Sequence, residues 1–350
     1  MVIHMNAVRE EDLKYIISRI SYKQCEGKTF LVTGANGFLA SYMVDTLMYL
    51  NLHYLEKKCK VIALCRNRKK AEVRFKEWLF CENFLLYVQN VEKPVADSLE
   101  ADYVVHAASS SATSDFNKIP ADVLKTNILG TYHLLEFAKN KKAQGFLFFS
   151  SGAAYGNVSA GLSNVKETDL FLLDFNAAEN CYAEGKRSGE ALCRAYYCQY
   201  GVPARIVRIG HTYGPGIDLN DGHVYSDFAA RIIRNENLPV KNADVVRPFC
   251  YVSDAVIAFF LILLEGENGE VYNMVNKKET VSIYELASKL AEKAFPEKGL
   301  KVECEKKESN VQKTTMSVDK LEALGWYPEI GITEGFKRTV RSFEEEVRYE

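Results

Sequence analysis

The chain has 350 residues, of which 47% are hydrophobic and 26% charged, and its formal net charge is −2. That length supports a large core and two lobes. The charge balance excludes a strongly basic nucleic-acid binder, and no apolar run approaches the roughly 20 residues that cross a bilayer.

Met1 to Glu26 carries Arg9, Glu10, Glu11 and Asp12 and lacks the hydrophobic core of a secretion signal. Within it Leu13, Ile16, Ile17 and Ile20 recur at helical spacing. This predicts an N-terminal amphipathic helix packed on the body or on a partner subunit. Thr29–Val32 reads as a buried strand, followed by a glycine turn and a helix through Leu50. Lys60–Leu64 reads as a second strand, followed by a helix from Lys69 to Phe80. Phe84–Val88 and Tyr103–His106 are further strands, and Pro120–Asn140 is a helix. Gly145–Phe149 reads as a strand, Ala177–Gln199 as a long helix and Ala204–Arg208 as a strand. Later helices are expected over Ser253–Leu264 and Ser282–Ala294.

Strands alternating with helices predict an α/β fold, a Rossmann-like doubly wound parallel sheet with a smaller α/β C-terminal substrate lobe. The expected division is the leading helix at 1–26, a dinucleotide-binding domain at 27–208, and a second lobe at 209–246 and 265–350. Residues 247–264 return to the first domain. The nine cysteines are scattered, odd in number and free of CxxC pairs, which fits reduced thiols in a cytoplasmic protein. The six histidines show no HxxxH or HExxH spacing, so no metal site is expected.

Thr33-Gly34-Ala35-Asn36-Gly37-Phe38-Leu39-Ala40 joins the first strand to its helix. Glycine permits the tight turn and lets backbone N–H groups approach a pyrophosphate. Gly34, Asn36, Gly37, Phe38 and Leu39 are therefore candidate dinucleotide contacts. Ala40, the third small residue, keeps the helix close to the sheet. NAD-binding sheets usually end the second strand on Asp or Glu, which accepts from the ribose hydroxyls. Here that region reads Cys65-Arg66-Asn67-Arg68. Arg66 and Arg68 could hold a 2′-phosphate by charge-assisted hydrogen bonds, so NADP(H) is favoured and NAD stays possible. The alternative is solvated surface charge at a helix start.

Phe149-Ser150-Ser151-Gly152 and Tyr182-Ala183-Glu184-Gly185-Lys186 supply the chemistry. Tyr182 and Lys186 are four apart on a predicted helix and share one face. A phenol near pKa 10 is a poor base at pH 7. A neighbouring ammonium stabilises its phenolate. Ser151 can bond the same sugar oxygen.

These motifs resemble an extended short-chain dehydrogenase/reductase of the nucleotide-sugar epimerase/dehydratase type, over roughly residues 27 to 340. Within that superfamily the chain resembles most the UDP-glucuronate decarboxylases, or UDP-xylose synthases. The resembling stretches are Val105-His106-Ala107-Ala108-Ser109, Leu124-Lys125-Thr126-Asn127, Cys181 to Arg187, Thr212-Tyr213-Gly214-Pro215, Asn220-Asp221-Gly222, Arg247-Pro248-Phe249-Cys250-Tyr251 and Leu324-Gly325-Trp326. The resemblance implies Ser151, Tyr182 and Lys186 as the catalytic set. It implies Asn90, Val91, Ala107, Ala108, Ser109 and Asn127 beside the dinucleotide. It implies Ser109, Ser110, Ser151, Gly152, His211, Arg247 and Tyr251 beside a nucleotide-sugar substrate, with Arg247 at its diphosphate. A homodimer through Asp122–Lys139 and Ala177–Gln199 is expected by the same analogy.

The departures from that pattern are informative. Family decarboxylases and 4,6-dehydratases carry an acid at one or both positions after the catalytic Ser/Thr. This chain has Gly152 and Ala153 there. His211 replaces an asparagine, and Gln312-Lys313-Thr314-Thr315 lacks the usual arginine. Without the acid, elimination of water is disfavoured and decarboxylation weakened. The favoured expectation is a 4-keto nucleotide-sugar reductase or epimerase transferring hydride at C4. The alternatives are a decarboxylase-like enzyme with retained NAD and a non-catalytic NADP(H)-binding redox sensor.

Overall fold

The computed structural model describes residues 5–109, 113–158, 162, 164–304 and 315–349. Ser110 and Gln312-Lys313-Thr314 lie outside the described residues.

The chain opens with α1 (Ala7–Ser18), capped by the Asn6 side chain, which accepts from Arg9 N. There follow β1 (Thr29–Thr33), α2 (Phe38–His53), β2 (Lys60–Cys65), α3 (Arg68–Arg74), β3 (Phe84–Val88), β4 (Tyr103–His106), α4 (Thr113–Lys118), α5 (Pro120–Asn140) and β5 (Gly145–Ser151). Then come α6 (Cys181–Tyr200), β6 (Ala204–Ile209), β7 (His211–Tyr213), α7 (Val224–Ile233), β8 (Leu238–Val240), β9 (Val246–Tyr251) and α8 (Val252–Glu265). The chain ends with β10 (Val271–Met274), β11 (Thr280–Ser282), α9 (Ile283–Lys289), β12 (Val302–Cys304), α10 (Asp319–Glu322) and α11 (Ile332–Tyr349).

Seven strands form one parallel sheet in the order β10-β6-β5-β4-β1-β2-β3. Side chains alternate between its faces, as the two-residue strand period demands. Phe30, Val32, Val61, Ala63, Leu147 and Phe149 join a core with α1, α2 and α8. Leu31, Ile62, Leu64, Val104, Phe146 and Phe148 join a second core under α5 and α6. This is a Rossmann-like doubly wound architecture.

The sheet's edge strand β10 comes from the stretch that the sequence reading assigned to the smaller lobe; its register on β6 is set by Tyr272 opposite Val207. Residues 247–264 divide at Tyr251. β9 pairs with β7 and β11 in a separate three-stranded sheet, and α8 alone returns to the large sheet. The reason is composition: α8 is apolar all round from Ala255 to Leu264, and it is buried from Val252 to Leu263. β8 and β12 form a further parallel pair.

Three helices are shorter than their sequence patterns. α3 stops at Arg74 because Phe75 and Trp78 turn inward, with the Trp78 indole donating to Asp45 at 2.8 Å. A 3₁₀ turn at Ala178–Asn180 precedes α6. Ser282 and Glu285 form a capping box that starts α9, and after Lys289 the helix widens into a π turn.

The leading helix packs on the body. Its buried Asp12 accepts from the hydroxyls of Tyr42 (3.2 Å) and Tyr251 (2.9 Å) and from Arg338 (3.2 Å). Among the described residues, no helix is long and apolar enough to cross a membrane, and no group of His, Cys, Asp and Glu could hold a metal.

Candidate active site

The glycine turn sits where β1 meets α2. Gly34 has φ +60, and a Cβ there would lie 2.7 Å from the Ala108 Cα. Only glycine lets this turn press against the end of β4. Ala35 N reaches across to Leu64 O at 3.3 Å, and Ala108 N donates to Thr33 Oγ1 at 3.3 Å. Gly37 caps α2 in an extended conformation and supplies no side chain to its first-turn N–H groups. Those donors face outward from a 16-residue helix, beside half-buried Asn36, Phe38 and Leu39. This fits a dinucleotide pyrophosphate.

At the end of β2, Cys65 is buried, and burial pushes its thiol up to about 11. It offers no carboxylate to a ribose. Arg66 and Arg68 are exposed on the following turn; Arg68 reaches Glu72 at 3.4 Å, and Asn67 caps α3 by accepting from Lys70 N. Asn90 is exposed and accepts from Glu92 N at 3.1 Å, and Val91 is buried beneath Gly130.

Below the turn runs a polar chain. His106 is buried, with Nδ1 3.0 Å from Thr33 Oγ1 and Nε2 3.1 Å from Thr131 Oγ1. Burial, aided by the Lys186 charge, lowers its pKa to about 3, so the ring is neutral. Thr131 donates to the Asn127 carbonyl, and the Asn127 side chain accepts from Ser109 Oγ at 3.0 Å. Gly185 lets α6 approach: a Cβ there would lie 2.9 Å from the Asn127 Cβ.

Ser151, Tyr182 and Lys186 converge at the mouth of this crevice. Ser151 ends β5, and its Oγ accepts from Ala153 N at 3.2 Å. Burial raises the Tyr182 phenol, and a hydrogen bond with Ser151 pulls it back down. Lys186 is 3% exposed and donates to Phe149 O at 2.7 Å. Burial lowers its pKa to about 7, against the opposing attraction of Glu190. Glu190 is itself gripped by Arg208 at 3.0 and 2.7 Å and accepts from Ser150.

Four neighbours are not among the candidate site residues named from the sequence. Phe116, on α4, stacks on the Tyr182 ring at 4.8 Å and 14°. Tyr225, on α7, is buried, which raises its phenol, and it lies within electrostatic reach of Asp221 and Tyr182; His223 stacks on it at 5.1 Å. Met316 lies against Gly152. None of these four sits in a motif of fixed spacing.

On the opposite wall, His211 opens β7 and is half-buried; burial first, then Arg247 and His223, lowers its pKa to about 3. Arg247 is exposed, with Nη1 on the Val246 carbonyl at 2.9 Å. Tyr251 does not join them. It is fully buried and its hydroxyl is spent on Asp12, so its expected substrate contact is corrected to a core role. A separate hollow of ≈ 770 Å³ lies behind α6. Of its cations, Arg187, Arg194, Arg208 and Lys320 are bonded within the chain.

A parallel Rossmann-like sheet, a bare helix N-terminus and a Ser-Tyr-Lys group at the strand ends together define a dinucleotide-dependent oxidoreductase class. Residues 30–275 match the NAD dependent epimerase/dehydratase family. The chain is 33% identical to UDP-glucuronic acid decarboxylase 6 of Arabidopsis thaliana, over 87% of this chain and 85% of that protein. It superposes on the UDP-glucose 4-epimerase of Thermotoga maritima with TM-score 0.74 and 26% identity, covering 91% of this chain and 99% of that one. The UDP-glucuronic acid 4-epimerase of Bacillus cereus, solved with UDP-glucuronic acid and NAD, shares the fold at TM-score 0.75 and 21% identity, covering 91% and 99%. The chain belongs to the NAD-dependent epimerase/dehydratase family, and it is an enzyme of the nucleotide-sugar branch.

Proposed function

We propose that this enzyme moves hydride at C4 of a nucleoside-diphosphate sugar, as a reductase of the 4-keto form or as a 4-epimerase. The observation that carries the reading is the pairing of an intact Ser151-Tyr182-Lys186 group with an acid-free wall at Gly152 and Ala153. A bound dinucleotide supplies or takes the hydride. Tyr182 gives a proton to the C4 oxygen during reduction, or removes it during oxidation. Lys186, one turn away, stabilises the phenolate while charged. Ser151 bonds the same oxygen and fixes its direction. Arg247 and neutral His211 face the substrate diphosphate.

NADP(H) is the favoured dinucleotide. Exposed Arg66 and Arg68, with Cys65 in place of a carboxylate, support this reading, although the Bacillus cereus relative was solved with NAD. The uridine nucleotide is carried over from the relatives' substrates. A homodimer through α5 and α6 fits exposed Leu129, Tyr132 and Tyr200, and a cytoplasmic setting fits nine free cysteines.

The decarboxylase reading rests on the similarity to UDP-glucuronic acid decarboxylase 6. Assays of CO₂ release from UDP-glucuronate and of NADPH oxidation by a 4-keto UDP-hexose separate the two. NADPH oxidation without CO₂ release supports the C4 reading; stoichiometric CO₂ release overturns it. Slow NADPH consumption with such a substrate also removes the non-catalytic sensor.

A further inference from the structure

Met316 is held at the cleft edge by a short strap. Val165 N donates to Thr315 O at 2.8 Å, and Ser317 N donates back to Val165 O at 2.8 Å. Asn164, at φ +68, adds its N–H to Thr315 Oγ1 at 3.2 Å. The strap is tied to the large sheet: the Asn273 amide on β10 donates to Val165 O at 3.2 Å and its Oδ1 accepts from Tyr155 at 2.8 Å. The position of Met316 is therefore set by the fold.

Met316 fills the space beside Gly152. A Cβ on Gly152 would lie 3.5 Å from the Met316 Cε, 3.7 Å from its Sδ and 3.9 Å from the Ile209 carbonyl oxygen. Gly152 directly follows Ser151, which bonds the reacting oxygen in the C4 reading. The next residue then faces a ring carbon adjacent to C4. Of the two neighbours, C3 carries a hydroxyl, whereas C5 carries a carbon substituent: methyl, hydroxymethyl or carboxylate. A thioether offers dispersion contact and at best a weak acceptor. A carbonyl oxygen repels a carboxylate. The thioether favours a methyl group, and the carbonyl oxygen disfavours a carboxylate.

We infer that Met316 is a specificity-determining residue that receives the C5 substituent and selects a 6-deoxy sugar over a uronic acid. The inference deepens the C4 reading and rests on it. It also separates this chain from its decarboxylase relative, whose name specifies a uronic acid.

The test measures binding first, so that it does not depend on turnover. The Tyr182→Phe protein, saturated with NADP⁺ or NAD⁺, is titrated calorimetrically with UDP-glucose, its 6-deoxy counterpart and UDP-glucuronate. The 6-deoxy compound is expected to bind at least about 10-fold tighter than the uronate, the scale set by one alkyl group in an apolar pocket. Adding Met316→Arg reverses the order, and adding Met316→Leu preserves it. Equal or tighter binding of the uronate, or an unchanged ratio in the arginine variant, overturns the inference. Turnover of the same sugars by the unmodified enzyme keeps the two claims apart. No hydride transfer with the binding order intact removes the C4 reading alone, and equal kcat/KM for all three removes the Met316 assignment alone.

Discussion

The Lys186 ammonium lies 5.5 Å from the centre of the Tyr182 ring, one turn along α6, and donates to the Phe149 carbonyl. The helix spacing sets their approach, and the Phe149 carbonyl, just past the last β4–β5 pair, aims the lysine. Burial holds the pair apart from water, which raises the phenol and lowers the ammonium.

That pairing predicts a pH limit. Lys186 loses its charge above about 7 rather than near 10.5. In the direction of carbonyl reduction, kcat/KM should therefore fall as pH rises through about 7. Lys186→Met should abolish that limb and lower turnover about 10²-fold. An unchanged alkaline limb in the variant would assign it to another group.

His106 predicts a stability effect at acid pH. Its folded pKa, about 3, lies below the ordinary 6.5. The unfolded chain takes up the proton first as pH falls, so stability contributed above 6.5 is lost progressively down to about 3. The urea midpoint of His106→Gln should change less with pH across that window. The variant should also be about 1–3 kcal/mol less stable at pH 7, where Thr33 and Thr131 lose a buried partner. Parallel pH curves would contradict the buried neutral ring.

Gly34→Ala tests the cradle. The left-handed backbone costs an alanine about 1–2 kcal/mol, and the clash with Ala108 is with main chain, which cannot swing away. Urea unfolding should show at least that loss, and calorimetry should show dinucleotide affinity reduced 10-fold or more. Normal affinity would place the dinucleotide elsewhere.

Arg66→Ala and Arg68→Ala test the choice of dinucleotide. A hydrogen bond to a charged group is worth about 1.5–3 kcal/mol, or roughly 10- to 100-fold. Each variant should lose about that factor for NADP⁺ and little for NAD⁺. Cys65→Asp should move the preference toward NAD⁺. Equal losses for both dinucleotides would mean that no 2′-phosphate is held there.

Much of this was legible in the sequence, for physical reasons. Phe84–Val88 and Tyr103–His106 are short apolar runs between turn residues, and Pro120–Asn140 carries its own start signal in proline. Those three elements appear with the expected bounds. Local spacing also located Gly34, Tyr182 and Lys186, because turn and helix geometry are local properties. Phe116, Tyr225 and Met316 reach the site from distant loops and helices, which spacing does not encode. Tyr251 shows the converse failure. Its motif suggested a cleft, but its side-chain direction depends on Asp12, 239 residues away.

The most direct measurement is a single turnover of NADPH with a 4-keto UDP-hexose, comparing the unmodified enzyme with Tyr182→Phe. The account predicts hydride delivered to C4, and a rate about 10²-fold or more slower in the variant, with NADPH affinity unchanged. Equal rates in the two proteins would contradict it, as would hydride arriving at any other carbon.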